Sequence, residues 1–179
     1  MKRLFMSLCV TAALLAAPAY ATLTVGAKAP DFKARASIGG KQFDFALADA
    51  LKKGPVVLYF YPAAFTPGCT LEANNFATAM DDFSKLGATV IGVSHDDIAT
   101  LDRFSLTECR SKFPVASDGD GRVMRSYDAV VGPNATRAMR TSYVISPQGQ
   151  IVYAYSNGDY THHTEYTMDA VKKLVAQGK

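Results

Sequence analysis

Cys69 stands in the run Phe65-Thr66-Pro67-Gly68-Cys69-Thr70, and the residue types around it suit a thiol that reacts. Thr66 is a good N-cap and Pro67 fits the first position of a helix. Ala73, Phe76, Met80, Phe83 and Gly87 then recur at spacings of three and four, so a helix is expected from about Thr66, with Cys69 in its first turn. Unpaired backbone N–H groups and the positive end of the helix dipole favour the thiolate there, and the thiolate is the nucleophile. Gly68 leaves the backbone beside the sulfur open to a small substrate, while Pro62 and Pro67 stiffen the loop. A lone cysteine is also often just a small buried hydrophobe, and these neighbours alone do not choose between the two readings.

The loop hangs from a strand. Val56 to Tyr61 is apolar, β-branched or aromatic without alternation, the pattern of a strand buried on both faces, and Pro62 ends it because proline cannot donate to a ladder. Ala88 to Ser94 reads as a second buried strand and Asp97 to Cys109 as the helix after it. Strand, helix, strand, helix predicts a parallel central sheet with right-handed crossovers. Before this core, Phe32 to Ile38 and Gln42 to Phe45 form a hairpin about Gly39-Gly40, and Ala46 to Lys52 a short helical turn. After it come a short strand from Phe113 to Ser117, the turn Asp118-Gly119-Asp120-Gly121, and a short helix from Val123 to Tyr127. A strand from Arg140 to Ile145 pairs as a hairpin with Ile151 to Tyr155, and Thr161 to Ala176 closes the chain as a helix.

Other residues invite chemistry and are read as structure. The Asp118 turn lacks the ligand spacing and closing glutamate of a calcium loop. His162 and His163 are adjacent at a helix start, point in different directions and make a poor chelate, so both are expected to be solvated. His95 is taken as loop structure and Arg137 as a solvated loop charge. No metal site and no cofactor is expected.

With 179 residues, 49% hydrophobic and 20% charged, the chain suits one globular domain. Residues 1–21 read as a signal peptide: Lys2 and Arg3, an apolar run from Leu4 to Ala17, then Ala19-Tyr20-Ala21 as a small-x-small cleavage site. The apolar run is shorter than the roughly 20 residues of a spanning helix, so no membrane anchor is expected after cleavage, and the mature domain, 22–179, would be periplasmic or secreted. Cleavage removes Cys9 and two of the three net positive charges, which leaves no basic footprint for a nucleic-acid partner. Two remaining cysteines are too few for a disulfide scaffold and more in keeping with redox chemistry.

Pro62-x-x-x-Thr66-x-x-Cys69 resembles the peroxidatic signature of the peroxiredoxins. The longer set Phe60-Tyr61-Pro62, Phe65 to Thr70, Glu72-Ala73 and Phe76 resembles one branch, the bacterioferritin-comigratory or Q-type members. Val25-Gly26, Ala29 to Phe32 and the Arg140 strand with its hairpin are similar to the same branch, so the resemblance covers nearly all of the chain after residue 25. It implies an α/β thioredoxin-like three-layer fold, with a central mixed, largely parallel sheet flanked by helices and an N-terminal hairpin. It also implies a thiol-dependent peroxidase for hydrogen peroxide and organic hydroperoxides, with Pro62, Thr66, Cys69 and Arg140 at the four active-site positions. Cys69 would pass to a sulfenic acid that a thiol must resolve. Many Q-type members carry the resolving cysteine five residues after the first, where this chain has Asn74, which leaves Cys109 or an external thiol. The reductant would be thioredoxin-like or glutaredoxin-like. Two alternatives stay open. A thiol–disulfide oxidoreductase of the same fold needs Cys-x-x-Cys, and here the earlier position is Thr66; a non-enzymatic thioredoxin-fold protein would ask only packing of Cys69 and Arg140.

Overall fold

A computed structural model of the chain describes residues 22–132 and 134–178. The reading of residues 1–21 as a signal peptide lies outside the described residues. The chain runs β1 (Lys33–Ile38), β2 (Lys41–Ala46), α1 (Leu47–Leu51), β3 (Val56–Phe60), α2 (Pro67–Lys85), β4 (Thr89–Ser94), α3 (Ile98–Thr107), β5 (Val115–Ser117), α4 (Arg122–Ser126), β6 (Thr141–Ile145), β7 (Ile151–Ser156) and α5 (His163–Ala176). One seven-stranded sheet holds the strands in the order β2-β1-β5-β4-β3-β6-β7. Parallel pairing is confined to β3 with β4 and β4 with β5; the other four pairings are antiparallel. The sheet is therefore mixed but not largely parallel, because β1 and β6 both enter it against the direction of the central strands.

β3 shows why its sequence does not alternate. Val56, Leu58 and Phe60 belong to the core on one face, with Leu47, Ala50, Val123, Met124 and Tyr127. Val57 and Tyr59 belong to the other, with Phe76, Met80 and Phe83 of α2, Phe104 of α3, and Met168, Val171 and Leu174 of α5. Both faces are covered, so every residue of the strand is buried. The result is three layers, helix, sheet and helix.

α2 buries Cys69, Glu72, Ala73, Phe76, Ala77, Met80 and Phe83 on one stripe. Phe76 stacks on Tyr59 with ring centroids 4.5 Å apart, and Phe76→Ala would cost about 3–5 kcal/mol in a core of this kind. Gly87, expected on the apolar stripe, lies beyond the helix. Its φ is +69°, and Gly87 N–H donates to Ser84 O while Ala88 N–H donates to Phe83 O, the paired bonds of a Schellman stop. α3 ends at Thr107, short of Cys109, because the chain turns through left-handed conformations at Arg110 and Ser111, φ +51° and +56°.

Candidate active site

Cys69 lies in the first turn of α2, two residues after Pro67, and is 2% exposed. Only a small substrate could reach its sulfur without moving the loop. Thr66 takes the extended conformation of an N-cap, φ −77° and ψ 148°, but its side chain does not cap the helix; the hydroxyl donates to Ala63 O at 2.9 Å. The lone pairs of that hydroxyl stay free to accept from a hydroperoxide O–H. Pro62 lies two residues beyond the end of β3, and the loop between it and α2 is pinned by Asp96, whose Oδ2 accepts from Ala64 N–H and from Ser94 Oγ, each at 2.8 Å. Phe65, at φ +61°, sets its ring edge-on against Phe104, centroids 5.2 Å apart, which holds an unfavourable backbone conformation in place.

Arg140 comes to the sulfur from the neighbouring strand. β3 and β6 pair antiparallel with Phe60 opposite Thr141, so the end of one strand meets the beginning of the other on the side where α2 starts. The Arg140 side chain is 6% exposed and fully engaged. Nη2 donates to Cys69 Sγ at 3.4 Å, Nη1 to Glu72 Oε2, and Nε to Gly158 O at 3.1 Å. Burial works against the guanidinium charge, but Glu72 and Cys69 more than offset it and raise the Arg140 pKa. Gly68 has a different use from the one expected. A Cβ there would lie 3.3 Å from Arg140 Nη2 and 3.7 Å from Tyr160 Cδ1, so the missing side chain admits the guanidinium.

Two functional neighbours escaped the sequence reading. Glu72, one turn after Cys69, is fully buried; burial pushes its carboxyl up, to about 8, against the pull of Arg140. Its placement three residues from the cysteine on an otherwise apolar stripe was the available signal. His163, expected in solvent, is also fully buried. Its Nδ1 lies 2.8 Å from Ser142 Oγ and its Nε2 3.1 Å from Asn157 O, because the start of α5 packs against β6 rather than facing water. Burial, first of all, depresses its pKa to about 4. His162 is exposed and stacks on Tyr166, and Arg137 is exposed. His95 Nδ1 lies 3.0 Å from Asp118 O, while the Asp118 carboxylate accepts from Val123 and Met124 N–H at the start of α4.

Cys109 is fully buried and, like Cys69, a free thiol. Burial pushes its pKa far up. The residues on either side of it are clasped to α2 at Asn74: Nδ2 donates to Glu108 Oε2 at 3.3 Å, and Oδ1 accepts from Arg110 Nε at 3.0 Å.

Comparison with known proteins sets the molecule among the thiol-dependent peroxidases of the thioredoxin fold. The chain belongs to the AhpC/TSA family, whose pattern matches residues 25–154, and within it to the bacterioferritin-comigratory or Q-type peroxiredoxins. It is 34% identical to Peroxiredoxin Bcp of Xanthomonas campestris pv. campestris over 68% of this chain and 79% of that protein. It is 33% identical to a putative peroxiredoxin bcp of Helicobacter pylori over 83% and 98%. Among solved structures, Peroxiredoxin Q of Xanthomonas campestris superposes with a TM-score of 0.69 at 31% identity, covering 78% of this chain and 89% of that one.

Proposed function

We propose that Cys69 is the peroxidatic cysteine of this peroxidase and that Pro62, Thr66 and Arg140 complete its site. The observation that carries this reading is the hydrogen bond from Arg140 Nη2 to Cys69 Sγ. A thiolate attacking a peroxide forms an S–O bond to one oxygen while the O–O bond breaks and the other oxygen leaves with negative charge, to be protonated to water or an alcohol. A fixed guanidinium beside the sulfur can hold the thiolate and then receive the charge that grows on the leaving oxygen. Thr66 accepts from the incoming O–H, and Pro62 stiffens the loop that carries Thr66. Cys69 is left as a sulfenic acid.

Cys109 then resolves it: its sulfur attacks Cys69 Sγ, an S–S bond forms and water leaves. Buried and with a raised pKa, Cys109 is a poor nucleophile where it stands. Opening of the turn after α3 and of the first turn of α2 would free both buried sulfurs to meet, with the Cα atoms within the about 7 Å that a disulfide needs. A thioredoxin-like or glutaredoxin-like thiol would complete the cycle by reducing the disulfide. The charged start, apolar run and Ala19-Tyr20-Ala21 of residues 1–21 support export and a periplasmic or secreted enzyme, and no helix among the described residues is long and apolar enough to cross a membrane.

Cys69→Ser should abolish peroxide reduction and leave the melting temperature nearly unchanged, and one equivalent of hydrogen peroxide should yield a Cys69–Cys109 crosslinked peptide within one chain. Parental turnover in the serine variant would end this assignment. A persistent Cys69 sulfenic acid, with Cys109→Ser turning over at the parental rate, would end the role of Cys109. Export is checked by mass spectrometry of protein from the cell envelope, which should show Thr22 at the N-terminus.

A further inference from the structure

Arg140 touches the Cys69 sulfur, and the groups that hold Arg140 are themselves held. Glu72 Oε2 accepts from Arg140 Nη1, but Glu72 Oε1 is buried with no hydrogen-bond partner. His163 Nδ1 lies 3.8 Å from that oxygen. On the far side of the guanidinium, Gly158 O accepts from Nε, and the adjacent Asn157 N–H donates to Arg140 O at 3.2 Å. Asn157 O in turn takes the other nitrogen of His163.

The tautomer follows from the partners. A carbonyl can only accept, so Nε2 carries the hydrogen bonded to Asn157 O; in the neutral ring Nδ1 is then bare and accepts from the Ser142 hydroxyl. Ser142 is two residues beyond Arg140, on the same side of the strand direction. One imidazole thus ties together β6, the loop after β7 and the start of α5, and closes the space behind the Glu72 carboxylate.

We propose that His163 is a positioning residue for peroxide reduction: it fixes the Asn157–Gly158 loop and fills the space behind the Glu72 carboxyl, and through the loop it holds the Arg140 guanidinium against Cys69. This rests on the assignment of Cys69 and Arg140 made above. The groups facing the ring are Glu72 of α2, Arg140 just before β6, Tyr155 of β7 with its ring centroid 4.7 Å away, Asp159 of the loop after β7, and His162 just before α5. Burial, Arg140 and His162 oppose a charge on it, and Asp159 and its bond to Asn157 favour one. The ring is neutral at neutral pH and acts by hydrogen bonding. A phenyl ring would fill the same space but leave Ser142 Oγ and Asn157 O unpaired and Glu72 facing carbon.

The test is a double-mutant cycle in the full chain, reading the second-order rate with hydrogen peroxide by competition with a reporter peroxidase, since the chain has no tryptophan to report. His163→Phe should slow the reaction roughly tenfold or more, because a misplacement of about 1 Å can cost about a hundredfold. In an Arg140→Lys background the same change should cost nothing further, since the fork it positions is gone. His163→Gln, whose amide N–H can still reach Asn157 O and keep the loop in place, should recover most of the rate. Equal rates for His163→Phe and the parent, or losses that multiply in the double variant, overturn the proposal. If His163→Phe does not fold, His163→Asn, which keeps a partner for Ser142 but loses the Asn157 bond, is carried through the same cycle with the same outcomes. An inactive Cys69→Ser beside an unimpaired His163→Phe would overturn this inference alone and leave the assignment of Cys69 intact.

Discussion

Arg140 makes three hydrogen bonds in three directions, to Cys69, Glu72 and Gly158, and an ammonium cannot reproduce that fork. Arg140→Lys should therefore lower the rate with hydrogen peroxide by about two orders of magnitude or more, with little change in melting temperature; a rate that fell only in step with stability would make the arginine structural. Cys69, Thr66, Pro62 and Arg140 could be proposed from the sequence because their types and spacing resemble a family pattern. Glu72 was legible as a letter of that pattern but not as a role, since nothing local says that a glutamate on an apolar stripe meets an arginine 68 residues later. His163 was misread. Two adjacent histidines at a helix start have the composition of a wet surface, and only the docking of α5 against β6 turns one of them inward and leaves His162 outside.

Local pattern carried most of the elements. The unbroken apolar runs of β3 and β4 and the spacing along α2 are short-range signals, and the strands and helix fall where they indicate. The ends were harder to read. α2 stops before Gly87 and α3 before Cys109, because helix ends depend on left-handed residues, and Arg110 and Ser111 are not residue types that announce one. Gly68 separates stability from function within one element. In the first turn of a helix, alanine is favoured over glycine by roughly 0.5–1 kcal/mol, yet the added Cβ would stand 3.3 Å from Arg140 Nη2. Gly68→Ala should leave the melting temperature level or slightly raised while slowing peroxide reduction roughly tenfold, as thermal melts and peroxide kinetics on one preparation would show. A variant that lost neither would mean that the guanidinium has room to yield.

At the scale of the whole molecule, the two buried titratable groups behind the sulfur pull stability in opposite directions with pH. His163 binds a proton near pH 6.5 in the unfolded chain but not until about 4 when folded. Between those values the unfolded state binds more protons, so stability is lost as pH falls, by up to about 3 kcal/mol. Glu72, raised from 4.5 to about 8, works the other way: the folded state holds its proton longer, and stability is lost as pH rises through about 8. Between about pH 4.5 and 6.5 the two contributions nearly cancel, so denaturant titrations should show a plateau there and a fall from about 6.5 to 8. Glu72→Gln should remove that fall and leave a rise from about pH 4 to 6.5, and His163→Asn should extend the fall down to about 4.5; unchanged curves would mean that these groups are not the ones titrating. The topology was only partly legible. Strand, helix, strand, helix spoke for the parallel centre, but β1 and β6 join it from distant parts of the chain, and no local pattern reveals their direction.

The pairing of Phe60 with Thr141 also ties chemistry to assembly. Successive side chains of a strand point to opposite faces, so a slip of one residue in this pairing would carry Arg140 to the wrong side of the sheet. Pairings between strands so far apart in a chain close slowly. On the assignment of Cys69 and Arg140 proposed above, the two meet only once this pairing has closed, and the onset of peroxidase activity during refolding is then a clock for the zipping of β3 to β6.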